Sequence, residues 1–139
     1  MTRDAKPESL RVLVVDDHAG VRRAIRAYLE VLGITVAGEA ADGRQALHQL
    51  DVMAARDELP DLVLLDLVMP NMDGVTATGR IRRRYPDVGV FILTSFGSQE
   101  RIDAALSHGA AGFSHKDVEP AELVAALHRT QQAVHNRPR

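Results

Sequence analysis

The sequence predicts an α/β domain, a doubly wound parallel sheet with helices on both faces. Three observations carry this. Apolar runs and amphipathic stretches alternate five times between Leu10 and Val134, and successive βα units call for parallel strands joined by right-handed crossovers. Two of the runs, Leu10 to Val15 and Leu62 to Leu65, are almost wholly apolar, as strands buried on both faces are. Each run also stops abruptly at a polar residue, and in such sheets chemistry collects at the carboxyl ends of the strands. The 139 residues, 45% hydrophobic and 26% charged, suit one domain able to bury about two-thirds of its unfolded surface.

The elements follow in order. The first strand, Leu10 to Val15, ends on Asp16 and Asp17. Val21, Ala24, Ile25, Tyr28, Leu29 and Leu32 recur at three and four, one apolar helical stripe. Arg22, Arg23, Arg26 and Glu30 lie on the opposite face, and Gly33 stops the helix. Thr35 to Ala37 forms a short second strand. Asp42 caps a helix from Gly43 to about Ala54, with Gln45 as its capping-box partner. After the loop Ala55 to Asp61, the strand Leu62 to Leu65 ends on Asp66. A Pro/Asn/Gly loop, Met69 to Gly74, precedes a helix from Val75 to Arg84. Gly79 inside it costs about 1 kcal/mol against alanine, so a weak or short helix is expected. Tyr85, Pro86 and Asp87 turn the chain into the strand Val88 to Leu93, ending on Thr94 and Ser95. Ser98 caps a helix through Ile102, Ala105 and Leu106, which stops at Gly109. A fifth strand lies near Gly112 to His115. The last helix has Pro120 in its first turn and Glu122 near its positive end, and runs to about Val134.

Composition narrows the function. The chain has no cysteine, which excludes disulfides and thiolate metal sites and fits a reducing, cytoplasmic compartment. A formal charge of −2 gives no global field for nucleic acid, and 4% aromatics without tryptophan make a poor base-stacking platform. No apolar run nears the roughly 18 residues of a membrane span. Arg3, Asp4, Lys6 and Glu8 break the apolar region a signal peptide needs. Direct contact with nucleic acid or membrane is therefore not expected. His18, His48, His108, His115, His128 and His135 show no metal-binding spacing on one helix face.

The residues that follow the apolar runs are Asp16 and Asp17, then Asp66, Thr94 and Lys116. One rim of a parallel sheet brings them together. Three carboxylates in a pocket repel each other unless a cation joins them, and Mg2+ suits one or two carboxylates with water and phosphate oxygens. Lys116 adds a mobile point charge for a phosphate oxygen, and Thr94 a hydroxyl donor. This is a phosphoryl-transfer constellation, in which positioning and charge neutralisation do most of the catalysis. Its nucleophile would be Asp66.

Val12–Leu13–Val14–Val15–Asp16–Asp17–His18, Leu64–Leu65–Asp66–Leu67–Val68–Met69–Pro70–Asn71–Met72–Asp73–Gly74, Leu93–Thr94–Ser95, Gly109–Ala110–Ala111–Gly112–Phe113 and Lys116–Asp117 resemble a response-regulator receiver domain of two-component systems. Asp-Asp-His, and Lys-Asp in place of Lys-Pro, point to the LuxR/NarL/FixJ-type branch. The resemblance spans about Leu10 to Val134. It implies a flavodoxin-like (βα)5 fold with strand order 2-1-3-4-5, and a phosphoryl group accepted by Asp66 from a sensor histidine kinase. Asp17, Asp66 and the backbone carbonyl of Val68 would hold Mg2+, with Asp16 acting directly or through water, and Lys116 would bridge to the phosphoryl group. Thr94 would move towards the phosphate and Phe113 would turn inward behind it. That movement would reshape the face of the fourth helix, fifth strand and fifth helix to control an output. Homodimerisation on phosphorylation belongs to the same expectation.

The implied division is an N-terminal extension at 1–9, a receiver domain at 10–134, and a tail or start of a linker at 135–139. So short a chain has almost no residues for an output, so a LuxR/NarL-type DNA-binding domain is expected outside it; a stand-alone receiver acting through protein contacts is the alternative. A Mg2+-dependent aspartyl phosphatase of the haloacid-dehalogenase kind is disfavoured, because the second aspartate it needs is replaced by Val68. Ser114 and His115 depart from the apolar residues usual between Phe113 and Lys116. Partial exposure of an edge strand explains them; a pH-tuned output face, using the ordinary histidine pKa of about 6.5, is the alternative. Val68 and Phe96 flank the path of an attacking water, where apolar side chains would slow hydrolysis of a phospho-aspartate or simply pack. The basic run Arg80, Arg82, Arg83 and Arg84 reads as a solvated helix face, and the first helix as the kinase-docking surface.

Overall fold

The computed structural model describes residues 9–95 and 99–135. Five strands and five helices alternate: β1 (Arg11–Val15), α1 (Ala19–Val31), β2 (Thr35–Ala40), α2 (Gly43–Ala55), β3 (Leu62–Leu65), α3 (Gly74–Arg84), β4 (Gly89–Thr94), α4 (Gln99–Ser107), β5 (Gly112–His115) and α5 (Pro120–His135). The sheet order is β2-β1-β3-β4-β5, and every pairing is parallel. This is the doubly wound fold that the sequence predicts.

Successive side chains on a strand point to opposite faces, so each continuous apolar run feeds two cores. Leu13, Val15, Val63, Leu65, Val90 and Ile92 join Ala46, Leu50, Ala77, Ile81 and Ile102 on the face of α2, α3 and α4. Val12, Val14, Leu62, Leu64, Phe91 and Leu93 join Ile25, Leu29, Leu123 and Leu127 on the face of α1 and α5. Burying one such side chain is worth about 1.5–3 kcal/mol.

Four local expectations are corrected. The apolar stripe of α1 is narrower than its periodicity, since Ile25 and Leu29 are buried while Val21, Ala24 and Leu32 are exposed. The helix meets the sheet along one ridge, and Arg22 is drawn inward to Glu39 on β2. Strand β2 runs past Ala37 to Ala40, because after an irregularity between Val12 and Leu13 it continues to pair with Leu13, Val14 and Val15. The capping box at α2 is offset: Asp42 accepts from the Gln45 backbone N–H at 2.9 Å, but Gln45 Oε1 accepts from the N–H of Ala41. Helix α3 continues through Gly79 for 11 residues. There the absent side chain admits His108, the residue after α4, whose Cδ2 would lie 3.1 Å from an added Cβ.

Other expectations hold. Gly33 and Gly109 stop α1 and α4 with φ of +93° and +110°, the left-handed conformation that glycine adopts freely. Ser98 and Phe96 lie outside the described residues.

Candidate functional site

The parallel register carries the strand ends to one level. Val15 pairs with Leu65, and Leu65 with Ile92. The ladder continues one residue further, with Asp66 N–H donating to Val15 O at 3.1 Å and Lys116 N–H to Thr94 O at 2.8 Å. Polar residues just beyond buried strands therefore converge on one rim.

Asp16, Asp66 and Thr94 are buried. Lys116 reaches both carboxylates, its Nζ lying 2.7 Å from Asp16 Oδ2 and 3.2 Å from Asp66 Oδ2. The other oxygen of Asp66 accepts from the Leu67 backbone N–H at 2.8 Å and from Thr94 Oγ1 at 3.4 Å. The second oxygen of Asp16 accepts from the His18 N–H at 2.8 Å. Asp17 stands at the mouth, 27% exposed, yet its Oδ1 is buried and accepts no hydrogen bond. The exposed His18 ring lies 3.2 Å from that oxygen, outside bonding geometry.

Burial raises the Asp66 pKa above the ordinary carboxylate range. The pull of Lys116 opposes the rise and the proximity of Asp16 reinforces it. Burial lowers the Lys116 pKa, but its bonds and attraction to Asp16 and Asp66 outweigh this and raise it overall. The pocket thus sets two carboxylates around one ammonium, with a third, Asp17, at the mouth beside His18. Asp17 Oδ1, an unsatisfied hard oxygen, fits a divalent cation of the Mg2+ class; Asp16, Asp17 and His18 each bring a ligand atom within 4.8 Å of the others, and Asp66 joins them across Lys116.

The structure brings Asp16, Asp66, Thr94 and Lys116 into direct contact, with Asp17 and His18 beside them. Val68 follows on the β3–α3 loop, two residues beyond Asp66, and is 52% exposed. Phe113 stands apart from the pocket, 40% exposed, its ring set edge-on to His115 at 6.1 Å. Sequence reasoning missed the framework around the pocket. Arg22 Nη1 donates to the Asp16 carbonyl at 2.7 Å, while its Nε meets Glu39 at 2.8 Å. Gly74 admits the backbone of Asp66, whose carbonyl oxygen would lie 2.4 Å from an added Cβ. Helical periodicity assigns Arg22 to solvent, so only the reach of β2 to Glu39 could have revealed its role. The glycine was visible, but only as part of a loop.

With this geometry in view, the family model described as "Response regulator receiver domain" matches residues 12–128. The transcriptional regulatory protein YhcZ of Bacillus subtilis (strain 168) is 40% identical over 116 residues, covering 83% of this chain and 52% of YhcZ. The signal receiver domain of the response regulator NarL from Mycobacterium tuberculosis superposes with a TM-score of 0.77 at 33% identity, covering 94% of this chain and 100% of that domain. A CheY from Borrelia burgdorferi, crystallised in complex with CheX, BeF3 and magnesium, matches with a TM-score of 0.77 at 25% identity, covering 86% of this chain and 87% of that one. The chain belongs to the response-regulator receiver family of two-component systems. It spans about half the length of the curated relatives it matches. Among the described residues no helix is long and apolar enough to cross a membrane.

Proposed function

We propose that this receiver is a phosphorylation-activated switch whose phosphoacceptor is Asp66. One observation carries the reading: Asp66 is the carboxylate on which Lys116 and Thr94 converge, at the end of a buried strand and beside two further carboxylates. In the reaction an Asp66 oxygen attacks phosphorus on the phosphohistidine of a sensor kinase. A P–O bond forms, the P–N bond breaks with its electron pair going to nitrogen, and the kinase imidazole leaves neutral after taking a proton from solvent. Bound Mg2+, held by Asp17, Asp66 and the Val68 carbonyl with Asp16 in support, would neutralise charge on the phosphoryl oxygens.

The chain's own residues do the positioning. Lys116 is held in place by Asp16 and meets the phosphoryl group as a fixed positive charge. Thr94 exchanges its long bond to Asp66 for a phosphate oxygen. A phosphoryl group brings about −1.5 to −2 charges, and the state in which Thr94 and Lys116 meet that charge gains population. Phe113, on the strand that delivers Lys116, turns inward behind Thr94, and the α4–β5–α5 face changes. That face then governs homodimerisation and a LuxR/NarL-type DNA-binding output, for which the kinship with YhcZ and NarL is the support. The receiver occupies residues 10–134 and acts in the cytoplasm as a phosphoacceptor rather than a turnover enzyme.

Incubation with acetyl phosphate tests this by intact mass. With Mg2+ the wild type gains one phosphoryl group; with chelator it gains none, and Asp66→Ala gains none in either condition. Metal-independent gain, or full gain in Asp66→Ala, overturns the assignment.

A further inference from the structure

The loop that follows Asp66 is anchored at both ends. At the near end Leu67 is buried, and its carbonyl accepts from Gly74 N–H at 2.9 Å. At the far end Asn71 Nδ2 donates to Asp42 Oδ2 at 2.7 Å, and Gly43 N–H donates to Met72 O at 3.3 Å. Val68 lies between these anchors.

The far anchor is more elaborate than a helix cap requires. Asp42 caps α2 with Oδ1, which accepts from Gln45; serine would cap as well with a single oxygen and no charge. Instead a buried carboxylate spends its second oxygen on a residue of another loop, in a charge-assisted bond. Asn71 in turn adopts φ +66°, a left-handed conformation that asparagine tolerates better than most residues. The contact is also tight, because an added Cβ on Gly43 would lie 2.9 Å from Met72 O.

We propose that the Asp42–Asn71 hydrogen bond is a positioning strut that sets the Val68 carbonyl for the cation at the acid pocket, from the start of α2. The inference rests on the metal-site reading above. Neither residue touches the cation; each acts through the loop.

Two variants separate the strut from its other duties. Asn71→Gly keeps the left-handed backbone without strain and removes the amide. Asp42→Ser keeps the cap on Gln45 and removes the second acceptor. Mg2+ affinity of the full chain is measured by isothermal titration calorimetry, alongside the Mg2+ concentration giving half-maximal acetyl phosphate labelling. Each variant should bind Mg2+ about tenfold more weakly, the lower end for losing an outer-sphere support, and excess Mg2+ should recover most of the labelling. The double variant should be no weaker than either single one, because all remove the same bond. Normal wild-type binding with both variants within about twofold of it, or losses that multiply in the double variant, overturns the strut alone. A wild type that binds no Mg2+ overturns the functional reading itself, and the strut with it.

Discussion

Lys116 lies closer to Asp16, at 2.7 Å, than to Asp66, at 3.2 Å. The lysine is thus a fixed part of the pocket floor, and Asp16 is the residue that fixes it. Lys116→Met removes this cation and leaves two buried carboxylates facing each other. The loss should be about 2 to 3 kcal/mol, short of the roughly 3–5 kcal/mol typical of fully buried pairs because the lysine keeps some contact with water. Urea unfolding in chelator measures it, and added Mg2+ should restore part of the stability. Unchanged stability would show that the carboxylates do not depend on the lysine.

Asp66 itself is unfavourable to the fold at neutral pH. A carboxylate whose folded pKa is raised favours the fold while protonated, below its unfolded pKa, and that advantage is lost as pH rises through the folded pKa. Burial is the main cause of the rise at Asp66. Asp66→Asn should therefore be more stable than wild type at pH 7 in chelator. The gap should close as pH falls towards the unfolded carboxylate value of about 4. Thermal unfolding across that range decides it, and a variant less stable than wild type at neutral pH would contradict the reading.

Asp42 has the opposite sign. Burial pushes it up, but the Gln45 N–H and the Asn71 amide outweigh burial and hold it below its ordinary value. A depressed carboxylate contributes stability above its unfolded pKa and loses it as pH falls through the folded one. Asp42→Ala should cost about 1 to 2 kcal/mol at pH 7 through loss of the cap, and the difference should shrink in acid below about pH 4. A cost independent of pH would mean that the charge of Asp42 is not what its partners bind.

Asp16, Asp66 and Thr94 could be read because each closes a buried apolar run, and Lys116 because it follows the fifth strand; a parallel sheet leaves no choice about where such residues gather. The strand order and both core faces come from the same constraint. Arg22 could not be read this way: its i, i+3 and i+4 neighbours assign it to solvent, and Glu39, which draws it inward, lies in an Ala-Gly-Glu-Ala stretch of β2 without strand-like composition. Gly79 was misleading for a related reason. Its propensity cost is local, whereas the space it gives His108 depends on α4, 29 residues further on in sequence. Asp42 was legible as a cap but not as a strut, because a cap is local and its bond to Asn71 is not.

Gly74 marks where the pocket allows no side chain. A methyl group there would sit 2.4 Å from the Asp66 carbonyl oxygen and 2.6 Å from Leu67 Cα, both backbone atoms that no rotamer change can clear. Gly74→Ala must therefore displace α3 or the chain leaving β3; the first pulls on the β3–α3 loop, and the second shifts Asp66 relative to Lys116. Overpacking of this kind costs about 1–3 kcal/mol, and Mg2+-dependent labelling by acetyl phosphate should fall with it. Gly20 near the start of α1 is the control, since nothing lies within 4 Å of an added Cβ there. Gly20→Ala should label normally and be as stable as wild type or up to about 1 kcal/mol more so, from helix propensity. Labelling at the wild-type rate in Gly74→Ala would show that the pocket tolerates movement of the β3–α3 loop, and would remove the steric argument for glycine at this position.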